Sequence, residues 1–351
     1  MKLIARMALE PGMVIGEDVY SYQNTLVVKE NTVVDKKLIQ KLARYSVMCV
    51  SVKEQEDMAV TRYERIRLSS SFKQFEKEYN NNLKAYQYMI DDFLNNKTPV
   101  NPTFLLQIHD NIKKYAGSGE QLLDMLYHLL PGEDNLTYAY CLNSALIANV
   151  FGSWLSLSED ELKTLTLCGF FYDIGKLRLP DRLIWKQEKL NDFEYNWMKT
   201  HTTLGYDLLK DQDFNDHIKN CTLFHHERCD GSGYPQNRKG DGIDRFSKYI
   251  AIVDTYAAMT SAKTCHCSLT PFQVIRNFEK QGFEKYDTIV LKLILKKIAE
   301  AQLGRHVRLS DGTEADVVLI NEEKLSSPIV KEGERIIDLA AHPELDISII
   351  L

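Results

Sequence analysis

Apolar residues follow three different periods along this chain. Over residues 1–55 they form short runs, Met13 to Tyr20, Thr25 to Val28 and Val47 to Val52, which read as strands. A helical segment lies between them, with Asp35 placed to cap its first turn. These features predict a small α+β module. From Phe72 the spacing lengthens: Phe72, Phe75, Tyr79, Leu83, Tyr86, Ile90 and Phe93 recur every three or four residues, one stripe of a long helix. Such a stripe packs on its own domain or, because the spacing is near-heptad, on a second copy of the chain. Residues 56–102 are therefore read as a helical linker or dimerisation stalk, with a homodimer as the expectation, and Asn95 to Pro102 ends it.

Residues 103–302 read as mostly helical. Ser158 with Glu161, and Asn191 with Glu194, have the spacing of capping boxes. Thr270-Pro271 is a cap followed by proline at the first helical position. The Gly- and Asp-rich stretch from Asp230 to Asp244 interrupts this pattern and must be a long surface loop. After Gly304 the period becomes that of strands. Val307 to Leu309 and Ala315 to Ile320 flank the turn signal Ser310-Asp311-Gly312, and a third strand is expected from Arg335 to Leu339. The fold class is mainly α: a helical bundle flanked by an N-terminal α+β module and a small β appendage at 303–351.

With 351 residues the chain is long enough for two or three domains, and 44% hydrophobic with 26% charged residues is a globular composition. A net charge of −6 argues against a broad nucleic-acid-binding face. Arg6, Glu10 and Pro11 interrupt the first apolar residues too early for a signal peptide, and no apolar run is long enough to span a bilayer. Seven cysteines without a CxxC pair read as free thiols, so a cytoplasmic location is expected. Cys265-His266-Cys267 falls under the same reading, since three adjacent residues cannot enclose a metal by themselves.

The candidate chemistry lies in Asp173, His201, His225, His226 and Asp254. These are oxygen and nitrogen donors suited to Fe, Mn or Zn, each read as lying at or near the end of a helical segment. Two neighbouring histidines before a glycine-rich loop would each need a partner if buried. Asp254, in an apolar helix, also needs a partner or a metal. Such donors suit phosphodiester hydrolysis, where two metals about 3.5–4 Å apart hold the attacking and leaving oxygens.

Four stretches in order carry a resemblance. They are Tyr172-Asp173-Ile174-Gly175-Lys176, His201 to Gly205, His225-His226-Glu227-Arg228-Cys229-Asp230-Gly231-Ser232-Gly233-Tyr234-Pro235, and Val253-Asp254-Thr255-Tyr256-Ala257-Ala258-Met259-Thr260-Ser261. Over roughly residues 130 to 300 the chain resembles the HD-GYP family of metal-dependent cyclic di-GMP phosphodiesterases. The resemblance implies an HD-type helical bundle of a bacterial signalling protein, with metals held between helices. It implies that Asp173 is a bridging carboxylate, that His201, His225 and His226 are ligands on the second-metal side, and that Asp254 closes the first. Lys176 resembles the lysine that contacts substrate phosphate, and Gly233-Tyr234-Pro235 the signature loop, which borders the site and is linked to partner recognition.

The departures from that pattern shape the expectation. Tyr140 and Tyr172 stand where the family has histidines, both on the first-metal side, and Leu136 is not the glutamate that would support a third metal. Ser261 to Cys267 replaces an arginine-containing substrate run and keeps Lys263 as its cation. A free phenol ionises near pH 10, so filling of the vacated volume by the two tyrosines is favoured over tyrosinate ligation. Cys141 lies about 100° round the helix from Tyr140 and is not expected to substitute. The expectation is one divalent transition metal per chain and a degenerate HD-GYP protein. It would bind a cyclic dinucleotide or a protein partner, with weak or absent phosphodiesterase activity. A working phosphodiesterase and a pure interaction module are the alternatives.

Overall fold

The computed structural model describes residues 2–6, 9–20, 26–45, 47–53, 62–130, 136–184, 186, 188–261 and 269–351. The chain divides into two compact units, Met1–Lys73 and Gln74–Leu351.

In the first unit, strands β1 (Lys2–Ala5), β2 (Val14–Ile15) and β5 (Cys49–Lys53) form an antiparallel sheet in the order β1-β5-β2. β3 (Val19–Tyr20) and β4 (Leu26–Val28) pair separately. Helix α1 (Lys36–Arg44) begins where Asp35 accepts the Leu38 N–H at 2.6 Å, as the sequence predicts. Its Leu38 and Leu42, one turn apart, are buried in a core with Ile15, Val28, Val34, Val50 and Val52.

Helix α2 (Arg62–Leu68) leads to the long helix α3 (Ser70–Asn96). Within the second unit, Phe75, Tyr79, Leu83, Tyr86, Ile90 and Phe93 are all buried. The Tyr79 hydroxyl donates to Asn143 Oδ1 at 2.7 Å, and the Tyr86 hydroxyl to the Phe170 carbonyl at 2.5 Å. The stripe that raised the prospect of a homodimer is thus covered by the chain's own helices.

Helices α4 (Pro102–Lys113), α5 (Gly119–His128), α6 (Leu136–Trp154) and α7 (Glu159–Phe171) follow. α6 is buried nearly all round, so it lacks a polar face and runs through the middle of the bundle. α7 starts at the Ser158–Glu161 capping box. A short helix α8 (Asp181–Ile184) precedes α9 (Asp192–Lys199), capped by Asn191 and Glu194, then α10 (His201–Leu209) and α11 (Asp216–Phe224). α12 (Arg245–Thr260), α13 (Pro271–Gln281) and α14 (Thr288–Glu300) complete the bundle, with Thr270 capping α13. The mainly helical architecture matches the sequence reading. Among the described residues no helix is long and apolar enough to cross a membrane.

The C-terminal sheet is antiparallel in the order β10-β6-β7-β8-β9, with β6 (His306–Leu309), β7 (Glu314–Leu319), β8 (Ile329–Glu332), β9 (Arg335–Asp338) and β10 (Ile347–Ile350). The sequence reading missed β8 and β10, which the sheet pairs with β7 and β9 and with β6. The sheet is fastened to α13: Glu279 accepts from the Ser326 hydroxyl at 2.5 Å, and Arg276 pairs with Asp346.

Candidate metal centre

α7 ends at Tyr172, and Asp173 takes φ −105° and ψ 9°, turning the chain into a short 3-10 segment, Ile174–Arg178. That segment lies flat on the first turn of α10. A Cβ on Gly175 would strike the His201 carbonyl and lie 2.5 Å from the Gly205 nitrogen, so only glycine permits the approach. The contact sets Asp173 beside His201. α11 delivers His225 at its C-terminus, with His226 next in the chain.

One ligand atom from each of Asp173, His201, His225 and His226 lies within 4.8 Å of the others. His201 Nδ1 donates to the Met198 carbonyl at 2.6 Å, and His225 Nδ1 to the Cys221 carbonyl at 2.8 Å. A carbonyl only accepts, so in the neutral rings both Nε2 atoms carry lone pairs. Those atoms face each other at 3.2 Å. Asp173 Oδ1 lies 3.3 Å from the first and 3.6 Å from the second, and it is buried without a hydrogen bond. Three electron-rich atoms converge on one point, the two imidazoles held from behind by backbone carbonyls and the carboxylate by Lys176, an arrangement that a cation would satisfy. The donor set fits a divalent transition metal.

The field is consistent with that chemistry. Burial pushes the His201 imidazolium down to about 3, and His226 well below its ordinary range for the same reason. Both are therefore neutral near pH 7, as a ligand must be. Burial opposes ionisation of Asp173, but Lys176, His225 and His201 together outweigh it and hold the carboxyl well below its usual range. Lys176 Nζ sits 2.6 Å from Asp173 Oδ2.

Residues 113–290, about half of the chain, match the family described as HD domain. The chain belongs to that family. Its motifs and relatives place it in the HD-GYP group. It is 33% identical over 146 residues to the cyclic di-GMP phosphodiesterase response regulator RpfG of Xanthomonas campestris, covering 41% of this chain and 38% of the relative. It is 30% identical over 151 residues to the 3'3'-cGAMP-specific phosphodiesterase 1 of Vibrio cholerae, covering 43% of this chain and 35% of the relative. The chain therefore spans well under half the length of these two relatives. A solved HDG"Y"P protein of Bdellovibrio bacteriovorus has the same fold, with a TM-score of 0.51 at 13% identity, over 85% of this chain and 99% of that one.

The other residues that HD-GYP likeness singles out lie around the cluster. Asp254 does not join the four donors; its Oδ2 is 4.0 Å from His226 Nδ1. It also lies in the interior of α12 rather than near a helix end, contrary to the sequence reading. An apolar stretch on either side gave no cue to where the helix began. Burial and the Asp173 charge push its carboxyl up. The Tyr172 hydroxyl lies 3.1 Å from Ser144 Oγ, and its ring meets His225 edge-on at 5.0 Å. Tyr140 is half-buried, and its hydroxyl has no hydrogen bond among the described residues. Burial raises both phenols, Tyr172 far above its ordinary value. Cys141 is buried and outside the cluster. Lys263 and the run Ala262 to Cys267 lie outside the described residues.

The signature loop folds onto the centre. Tyr234 stacks on His226 with centroids 4.7 Å apart and planes at 27°. Lys199 Nζ lies 5.7 Å from the Tyr234 ring. Gly233 is forced by close backbone approach, since a Cβ there would meet the Arg228 nitrogen and Glu227 Cα at 2.5 Å. Pro235 follows at the edge, half-buried. Glu227 was missed by the sequence reading. It is buried and accepts the Gln236 N–H at 2.6 Å and the Arg238 N–H at 3.0 Å, which fixes the far side of the loop. The signal was a lone carboxylate between a histidine pair and a glycine-rich loop, whose unpaired N–H groups need an acceptor.

Proposed function

We propose that this protein is a signalling HD-GYP protein that holds one divalent transition metal, binds a cyclic dinucleotide, and hydrolyses it weakly or not at all. The reading is carried by the asymmetry of the site. Asp173, His201, His225 and His226 offer a four-donor set, while Tyr140 and Tyr172, which stand where the family has histidines, are phenols that burial keeps neutral. Fe, Mn or Zn suits the donors, and the bound ion would supply Lewis acidity toward a phosphoryl oxygen. Asp173 and the three histidines would hold it. Lys176, with 27% of its side chain exposed, would contact a phosphate, and the loop Gly233-Tyr234-Pro235 would border the ligand. Cyclic di-GMP is the first ligand to test, because it names the activity of RpfG; the 3'3'-cGAMP relative makes that dinucleotide the second.

A working single-metal phosphodiesterase is the second reading, favoured by the completeness of the four-donor set. Elemental analysis of protein purified without chelators, with cyclic di-GMP binding and turnover measured side by side in added Mn²⁺ or Fe²⁺, separates the two. The expected result is at most one metal per chain and binding without robust turnover. The double change Tyr140→His plus Tyr172→His should recover turnover in part, and either histidine alone should do little, because a metal needs about three protein ligands. Two stoichiometric metals, or robust turnover by the native chain, would overturn the proposal.

A further inference from the structure

A segment outside the four motif stretches is stitched to the histidine pair. Between α13 and α14 the chain makes a short 3-10 turn, Phe283–Lys285, followed by the buried Tyr286. The Lys285 carbonyl accepts the Cys229 N–H at 2.9 Å, so the segment bonds to the backbone just after His225-His226. Side chains make the link a second time. α11 ends at Phe224, which leaves the last carbonyls of the helix without helical donors. His225 is fully buried, so its carbonyl needs a partner from the protein. Arg228 provides one: its Nη1 donates to the His225 carbonyl at 3.0 Å and to the Glu227 carbonyl at 2.9 Å. The guanidinium lies over the Tyr286 ring, 5.3 Å from its centroid. Phe278 meets the same ring edge-on, with centroids 5.3 Å apart. The Tyr286 hydroxyl donates to Gln281 Oε1 at 3.0 Å and lies 3.2 Å from Thr255 Oγ1 on α12. Thr255 follows Asp254, whose Oδ2 is 4.0 Å from His226 Nδ1.

We propose that Arg228 and Tyr286 are positioning residues of the metal centre, forming a brace that holds the histidine pair in place against α12, the helix that carries Asp254. The inference rests on the metal-site reading above. Neither side chain belongs to the donor set; both act through the backbone of His225 and Glu227. Those two carbonyls bound the turn that sends His226 to the donors and Glu227 to the glycine-rich loop. One nitrogen bridging them fixes that turn. Arginine suits the task, because its flat guanidinium donates at its edge while its face rests on an aromatic ring. Tyrosine suits the other end, since a rigid ring supports the guanidinium and its hydroxyl reaches α12. The brace thus closes a circuit: it joins the histidine pair to α12 behind the site, and His226 and Asp254 approach each other at the front.

The test titrates chelator-treated full-length chain with Co²⁺ alone, whose visible absorption reports both affinity and coordination geometry. Arg228→Met and Tyr286→Leu should each weaken Co²⁺ binding about tenfold or more and alter the spectrum. The double variant should bind no more weakly than the worse single variant, because both residues serve one brace. Arg228→Lys and Tyr286→Phe, which each keep part of the contacts, should recover part of the loss. If Arg228→Met is unfolded at the assay temperature, the loss in Arg228→Lys decides in its place. Arg238→Met is the control for general loosening. Its guanidinium lies 3.9 Å over the Phe224 ring and its Nη1 donates to the Gly242 carbonyl, away from any ligand's backbone. That variant should lower the urea midpoint and leave the Co²⁺ spectrum native. Native affinity and spectrum in Arg228→Met or Tyr286→Leu, additive losses in the double variant, or the same spectral change in Arg238→Met would each overturn the inference and leave the metal site standing. No Co²⁺ binding by the native chain would overturn the site itself, and the inference with it.

Discussion

The neutral histidines at the centre should make metal-free protein sensitive to mild acid. Burial lowers His201 from an ordinary 6.5 to about 3, and with 1% exposure solvent screening is negligible. Between those values the unfolded chain binds a proton that the folded chain does not, so stability rises with pH. The contribution is complete above about pH 6.5 and is lost as pH falls from there toward 3. At pH 5 the unfolded histidine is about 1.5 units below its pKa, which costs about 2 kcal/mol from His201 alone. His226 acts with the same sign. Asp254 acts oppositely, because a raised carboxyl pKa gains stability as the pH falls and offsets part of the loss. Asp173 does not interfere, since its depressed pKa stabilises at every pH above its unfolded value of 3.8. Urea unfolding of chelator-treated protein between about pH 7.5 and about pH 5 should show the midpoint falling, and His201→Gln should flatten the slope. A native midpoint independent of pH over that range, or an unchanged slope in His201→Gln, would refute the argument.

Glu227→Gln replaces an acceptor of two backbone N–H groups with a side chain that offers one carbonyl oxygen and an amide donor. Charge-assisted bonds of this kind predict a loss of about 2–4 kcal/mol in urea unfolding, with faster backbone exchange at Gln236 and Arg238. Gly175→Ala drives a methyl group into the His201 carbonyl, so it should destabilise by more than about 3 kcal/mol and weaken Zn²⁺ binding at least about tenfold. Thermal melts and metal competition read both effects, and a neutral result would mean the segment can move off α10. Saturating Zn²⁺ at about 100 times its dissociation constant should stabilise the native chain by about 2.7 kcal/mol near pH 7, and a melting temperature insensitive to metal would count against the cluster as a metal site.

Much of this was written locally. Asp35, the Ser158–Glu161 and Asn191–Glu194 pairs and Thr270 start their helices as their spacing demands, because a cap satisfies N–H groups within one turn and needs no tertiary partner. The donors Asp173, His201, His225 and His226 could be named from residue type and order, since few side chains suit a metal. The strands Ile329–Glu332 and Ile347–Ile350 could not, because their four residues are defined by neighbours paired across the sheet. Packing also decided what covers the Phe75 to Phe93 stripe, which periodicity marks as buried without saying against what. The same holds for Asp173. Its presence is a matter of sequence, but that one oxygen meets two lone-pair nitrogens and the other an ammonium follows from Gly175 letting its segment lie on α10. Residue types fix which atoms can bind a cation, and only the meeting of helices distant in sequence fixes which cation each atom meets.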